Sequence, residues 1–320
     1  MNNIDLLTIG DSSIDLFMKI DRNFVATETD LGEKSEICFI HGTKVPVEKF
    51  ETSIAGNACN VSVGCTQLGM SVAIYTELGD DSNGERVIKE LQEKGVDTSC
   101  CIRNKTGPTN VHAIIVSGKG GERTIFSYHE PRDYKTRDWP KPKWIFYSSL
   151  AKGFEKFQAE LVAYIKGNSG IGVVFNPGTQ QLRSGVEVLK NFLEVTDILF
   201  VNKEEAQWLT DPNEMDMLTL HKKLRDLGPK LTVITLGTKG STAFDGKNMV
   251  IKGIYDKDCK IMDKTGAGDA YSSAFIAALH YGKSLETAME WGAINSSHAI
   301  REIGAIKGLL NKKQIEATTK

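Results

Sequence analysis

Long apolar runs, signed charge and cysteine motifs are all missing from this chain, and each absence removes a class of protein. No stretch of about 18 apolar residues occurs, so no membrane-spanning helix is expected. The 39 Lys and Arg against 41 Asp and Glu leave a net charge of −2, with the signs interspersed, so neither nucleic acid nor a membrane surface is an expected partner. The six cysteines (Cys38, Cys59, Cys65, Cys100, Cys101, Cys259) form no C-x-x-C pair and read as reduced thiols. The first apolar run, in M-N-N-I-D-L-L-T-I-G-D, is too short and too acidic for a signal peptide, and the expected location is cytoplasmic. With 8 prolines and no repeat, low-complexity stretch or Pro-rich linker, residues 1–320 read as a single large domain. Gly10 is not followed by G-x-G-x-x-G, which argues against a dinucleotide-dependent oxidoreductase.

The most informative segment present is D-K-T-G-A-G-D-A, residues 263–270. Glycines at 266 and 268 let backbone approach a ligand closely. The small-residue apolar helix expected behind them leaves N–H donors unpaired and carries the positive end of a helix dipole. Together these make an anion site suited to a phosphate. A carboxylate at Asp269 is costly there unless it takes a proton from a hydroxyl attacking a phosphoryl group. From the octapeptide alone an ordinary Gly–Asp turn capping a helix is the alternative.

Apolar periodicity organises the rest. Buried-strand runs at residues 4–9, 72–77, 144–149, 171–175, 198–201 and 231–236 alternate with helical stripes at 57–68, 155–166, 185–193, 204–209 and 218–227. A capping box is read at residues 82–85, and two helices close the chain at about 270–281 and 285–301. This rhythm predicts an α/β fold with a mostly parallel central sheet flanked by helices. The β-like pieces of residues 14–54 and 107–130, including a hairpin turn at 117–123, predict a small antiparallel β lid. Such a cover would exclude water from phosphoryl transfer. Polar clusters fall at the strand ends: Gly10-Asp11, residues 55–60, Asn176-Pro177-Gly178, residues 202–205 and residues 235–240.

The chain resembles the ribokinase (PfkB-type carbohydrate kinase) family over essentially its whole length. A-G-N-A-C-N near the start, D-K-T-G-A-G-D near the end, N-x-x-E from Asn202 to Glu205 and T-L-G-x-x-G from Thr235 to Gly240 carry the likeness. The resemblance implies an ATP- and Mg²⁺-dependent kinase phosphorylating a primary hydroxyl of a sugar or sugar-like compound. It makes Asp269 the base and Gly266, Ala267 and Gly268 the anion hole. It places Asp15, Gly56, Asn57 and Asn60 on the acceptor, and Asn202, Glu205, Thr235, Gly237 and Gly240 on the nucleotide. Glu205 would reach Mg²⁺ through water, and Asp263 with Gly304-Ala305 resembles the region where some relatives hold a monovalent cation such as K⁺.

The family's paired glycines become Ala55-Gly56, and a residue often lysine becomes Asn57, which argues against a phosphorylated acceptor. Thr109-Asn110 and His129-Glu130-Pro131 depart from its lid pattern. A nucleoside kinase and a catalytically silent sugar or nucleotide sensor stand as alternatives. One lid face is expected to pair with a second copy in a homodimer, with Phe17, Phe39, Phe126 and Tyr128 lining the substrate, that contact or the lid core.

Overall fold

The computed structural model describes residues 4–21, 27–30, 35–116 and 123–319. Strand β1 (Leu6–Ile9) leads to β2 (Ser13–Ile20), β3 (Thr27–Asp30), β4 (Ser35–Cys38), β5 (Val47–Ala55) and helix α1 (Asn57–Gln67). Next come β6 (Val72–Tyr75), β7 (Glu77–Gly79), α2 (Ser82–Glu93), β8 (Ile102–Asn104), β9 (Asn110–Val116) and β10 (Arg123–Tyr128). Then strands and helices alternate: β11 (Trp144–Tyr147), α3 (Phe154–Gly167), β12 (Gly172–Phe175), α4 (Thr179–Arg183), α5 (Val186–Leu193), β13 (Ile198–Asn202), α6 (Lys203–Leu209), α7 (Met217–Asp226) and β14 (Leu231–Thr235). Strands β15 (Ser241–Phe244) and β16 (Met249–Lys252) precede α8 (Ala267–His280), α9 (Leu285–Ala299) and α10 (Lys312–Thr318).

The main sheet has eight strands in the order β16-β15-β14-β13-β12-β11-β1-β6. Strands β6 to β14 in that row are parallel, and β15 and β16 extend it antiparallel. Because helices cover both faces, β1, β6 and most of β11–β13 are buried and apolar. One layer packs Phe154, Leu189, Ala206 and Leu220 from α3 and α5–α7 on the sheet. The other packs Val61, Phe275, Trp291 and Ile294 from α1, α8 and α9. From β1 the chain proceeds to β6 on one side and later to β11 on the other, so the strand order reverses at Gly10 and Asp11.

The expected lid is a four-stranded sheet in the order β10-β9-β2-β5. Its outer pairings are antiparallel, and the central β2–β9 pairing is parallel. Both central strands run outward from the main sheet and each returns through its own antiparallel partner. The hairpin turn expected at residues 117–123 lies, but for Arg123, outside the described residues. Helix α2 is capped one residue earlier than the sequence suggested. Asp81, in extended conformation, accepts from Gly84 N–H at 2.8 Å, leaving Ser82 as the first helical residue. Helix α4, the short β7–β8 pair and α10 went unrecognised in the sequence; their periodic stretches are too short to stand out.

Candidate functional site

Helices α1 and α8 approach so closely that a Cβ on Gly64 would lie 2.5 Å from Ser273 Oγ. That crossing brings Asn60, in the first turn of α1, against Asp269, in the first turn of α8. Asn60 Nδ2 donates to Asp269 Oδ2 at 2.8 Å. Asp269 is 7% exposed. Burial pushes its carboxyl up to about 7; the Asn60 amide opposes this, and the carboxylates of Glu205 and Asp15 add to it. A group poised there is matched to proton abstraction near neutral pH.

The glycines at the start of α8 have distinct tasks. Gly266 caps the helix at φ 74°, and a Cβ on it would lie 2.3 Å from that of Ala305, so glycine is required. A Cβ on Gly268 would meet nothing within 4 Å, so that side of the turn is open. Ala267 N–H is partly engaged, by Lys264 O at 3.3 Å. The loop is held from behind by Asp263. Its Oδ1 accepts from Thr265 N–H at 2.9 Å, Thr265 Oγ1 at 2.7 Å and Arg123 Nη1 at 3.2 Å, and its Oδ2 from Gly304 N–H at 3.0 Å. Both oxygens are thus occupied in anchoring the loop.

The residues expected on the acceptor come from β2 and from the start of α1. Gly56, at φ 110°, passes so near the first strand that a Cβ would sit 2.3 Å from Asp11 O. Asn57 Nδ2 donates to Asn176 Oδ1 at 3.3 Å, and Asn176 Nδ2 donates to Phe200 O at 3.0 Å, tying α1 to the ends of β12 and β13. Asp15 is 3% exposed, and its Oδ1 accepts from Ser13 Oγ at 3.3 Å with His112 Nδ1 at 3.0 Å. Asp11, by contrast, is a structural clamp. Tyr134 OH donates to it at 2.7 Å and Ala151 N–H at 2.8 Å, and burial pushes its carboxyl up to about 7.

Of the residues expected on the nucleotide, Asn202 and Glu205 cap α6 reciprocally. Asn202 Oδ1 accepts from Glu205 N–H at 2.8 Å, and Asn202 N–H donates to Glu205 Oε2 at 2.9 Å. Burial raises the Glu205 carboxyl, the Asn202 N–H lowers it, and Glu204 adds to the rise. Thr235 ends β14 opposite Ser241. Gly237 opens a single 3₁₀ turn, and a Cβ on Gly240 would lie 2.1 Å from Lys252 O.

Sequence reasoning missed Ser53, His112 and Arg123, and marked Asn110 only as a departure from the family's lid pattern. Strand register reveals Ser53, Asn110 and His112: Ser13 pairs with Asn110, and Asp15 with both His112 and Ser53, so all lie on one face of the small sheet. Ser53 Oγ, Asn60 Oδ1, Asn110 Nδ2 and His112 Nε2 are buried with no hydrogen-bond partner. Each such atom costs about 1–3 kcal/mol if left unmatched, and four of them surrounding Asp15 and Asp269 mark a polar ligand site. Phe17 is buried on this same face, while Phe39, Phe126 and Tyr128 are exposed.

Known proteins share this fold. The model of the pfkB family carbohydrate kinases matches residues 22–312. The ATP-dependent 6-phosphofructokinase of Thermoanaerobacterium thermosaccharolyticum is 24% identical across 95% of the chain and 90% of that enzyme. The nucleoside kinase of Methanothermobacter thermautotrophicus is 23% identical across 94% of the chain and 90% of that protein. Among solved structures, Arabidopsis thaliana ribokinase complexed with ribose and ATP superposes with a TM-score of 0.81 at 20% identity, covering 100% of this chain and 99% of that one. The nucleoside kinase of Methanocaldococcus jannaschii gives 0.77 at 18% identity, with the same coverage. The chain belongs to the pfkB family of carbohydrate kinases and is a phosphotransferase with an alcohol group as acceptor.

Proposed function

We propose that the protein transfers the γ-phosphoryl group of ATP to a primary hydroxyl of an uncharged polyhydroxyl compound, a sugar or a close analogue. The observation that carries this reading is the buried Asp269, raised to about 7 and oriented by Asn60 at the open N-terminus of α8. In it Asp269 removes the acceptor proton while the backbone of Gly266, Ala267 and Gly268 receives the phosphoryl oxygens. Asp15, Gly56, Asn57 and Asn60 hold the acceptor. Their carboxylate and amides suit hydroxyls, and none of these four side chains is cationic, which favours a neutral acceptor over a sugar phosphate. Thr235, Gly237 and Gly240 line the nucleotide.

Mg²⁺ fits the donor set only through water. Glu205 Oε2 is taken by Asn202 N–H, which leaves the other carboxylate oxygen to reach a metal-bound water. Held on the phosphate chain, the ion would offset charge developing in transfer. A nucleoside acceptor is the second reading, favoured by the relationship to a nucleoside kinase at near-complete coverage. The exposed lid face carrying Phe50 and Phe126 supports a homodimer.

The test is a coupled ADP-release screen of purified protein with pentoses, hexoses, inositols and nucleosides, with and without Mg²⁺. We expect Mg²⁺-dependent ADP release with one of these classes. ADP from none of them would return the chain to a silent sensor.

A further inference from the structure

Two of the unmatched atoms belong to side chains on the same face of one strand and are chemically complementary. Asn110 and His112 are two residues apart on β9, so their side chains share one face, about 6.6 Å apart along the strand. The neighbours of each side chain settle its polarity. Glu130 N–H donates to Asn110 at 2.9 Å, which fixes that amide atom as Oδ1 and leaves Nδ2 as a buried donor without an acceptor. His112 Nδ1 lies 3.0 Å from Asp15 Oδ1, and an ionised carboxylate only accepts. In the neutral ring the proton is therefore on Nδ1, and Nε2 is a buried lone pair without a donor. The His129 ring lies 4.9 Å from the imidazole, centroid to centroid, and is tilted by 51°.

We propose that Asn110 and His112 determine acceptor specificity by clasping one hydroxyl of the substrate, which donates to His112 Nε2 and accepts from Asn110 Nδ2. This rests on the kinase reading above and adds the chemical demand the lid makes. Only a group that both donates and accepts satisfies the pair. A ketone or fluorine at that position cannot donate to His112, a hydrogen does neither, and each would leave buried polar atoms unmatched. The clasped hydroxyl is a second one, separate from the hydroxyl that Asp269 activates. Asp15 fixes the imidazole through Nδ1, with its other carboxylate oxygen left for a neighbouring hydroxyl. His112 and Asn110 are thus specificity-determining residues and take no part in proton abstraction.

The experiment uses ribose, fructose, myo-inositol and adenosine as probes. Binding is read by calorimetry without ATP, and turnover by ADP release. For the tightest-binding compound, single-position deoxy and fluoro analogues are compared on the wild type, His112→Gln and Asn110→Ala. On the wild type, one deoxy position is expected to cost on the order of 10²-fold in affinity and kcat/KM, with the fluoro analogue no better. Each variant should lose affinity for the parent compound by a similar factor, lose little more for that one analogue, and keep the wild-type KM for ATP. Wild-type binding that is indifferent to every deoxy position, or variant and analogue losses that simply multiply, would overturn the clasp. Tight, hydroxyl-selective binding with no ADP release would instead sink the kinase reading and leave the clasp standing. A failure of either variant to fold leaves the wild-type analogue series to decide.

Discussion

Asp269 concentrates cost and function in one carboxyl. Its pKa is raised from 3.8 to about 7, chiefly by burial, so folding favours its protonated form. The sign follows: its contribution to stability is fully present below pH 3.8 and is lost as pH rises through about 7. Asp269→Asn should therefore be more stable than wild type at pH 8, by on the order of 1–4 kcal/mol, with the difference closing near pH 4. Asp11 titrates in the same window in both proteins, so the comparison isolates Asp269. Denaturant melts at the two pH values would show it, and equal stability at pH 8 would contradict the raised pKa. The same variant should lose roughly 10²–10⁴ in turnover. For the wild type, kcat/KM should climb with pH to a plateau above about 7, since the base must be ionised in the free enzyme. A profile flat from pH 5 upward would remove Asp269 as the base. This residue was legible in the sequence because the glycines and the helix start around it are local. His112 was not: a lone histidine in a strand acquires meaning only when register sets it beside Asp15.

At the scale of elements, the apolar stripes and the glycines that end them located the longer helices, and continuous apolar runs located the parallel strands. Which lid strands pair in parallel depends on the path of the chain, and no local pattern encodes it. Nor does sequence spacing suggest that Arg123, at the start of β10, reaches Asp263, in the loop before α8, across 140 residues. That ion pair is largely shielded, with side chains 23% and 7% exposed, and it ties the lid to the loop that presents Gly266 to Gly268. Arg123→Met should destabilise the fold by about 1–3 kcal/mol, because a buried carboxylate oxygen loses a charged donor. It should also speed amide exchange of residues 263–268 while leaving the main sheet protected. Exchange unchanged in that loop would reduce the contact to a surface ion pair of no consequence for the site.

For the whole molecule, the two faces of the lid sheet are opposed in chemistry. Ser53, Asp15 and His112 share one face, the one proposed to meet the acceptor. The register sends Phe50, Met18 and Ile115 in one row, and Leu16, Ala113 and Phe126 in the next, to the other face. Helix α2 covers the part of that face nearest the main sheet: Arg86 bonds Thr52, and Val87 and Leu91 pack with Ile14 and Ile54. Beyond it Phe50 and Phe126 stand 59% and 61% exposed, and Tyr128 49%. In the homodimer proposed above, two-fold pairing of identical faces would bury this apolar face with no other partner needed. The protein should accordingly sediment at twice the chain's 35.2 kDa, and Phe126→Asp should shift it to the monomer. Because the acceptor residues lie on the reverse of the same strands, the monomeric variant should bind the acceptor more weakly. Its KM for ATP should stay unchanged, since Thr235, Gly237 and Gly240 lie in and beside the main sheet. A wild type that sediments as a monomer at micromolar concentration would refute the pairing. A monomeric Phe126→Asp with unaltered acceptor affinity would show that the lid keeps its shape without a partner.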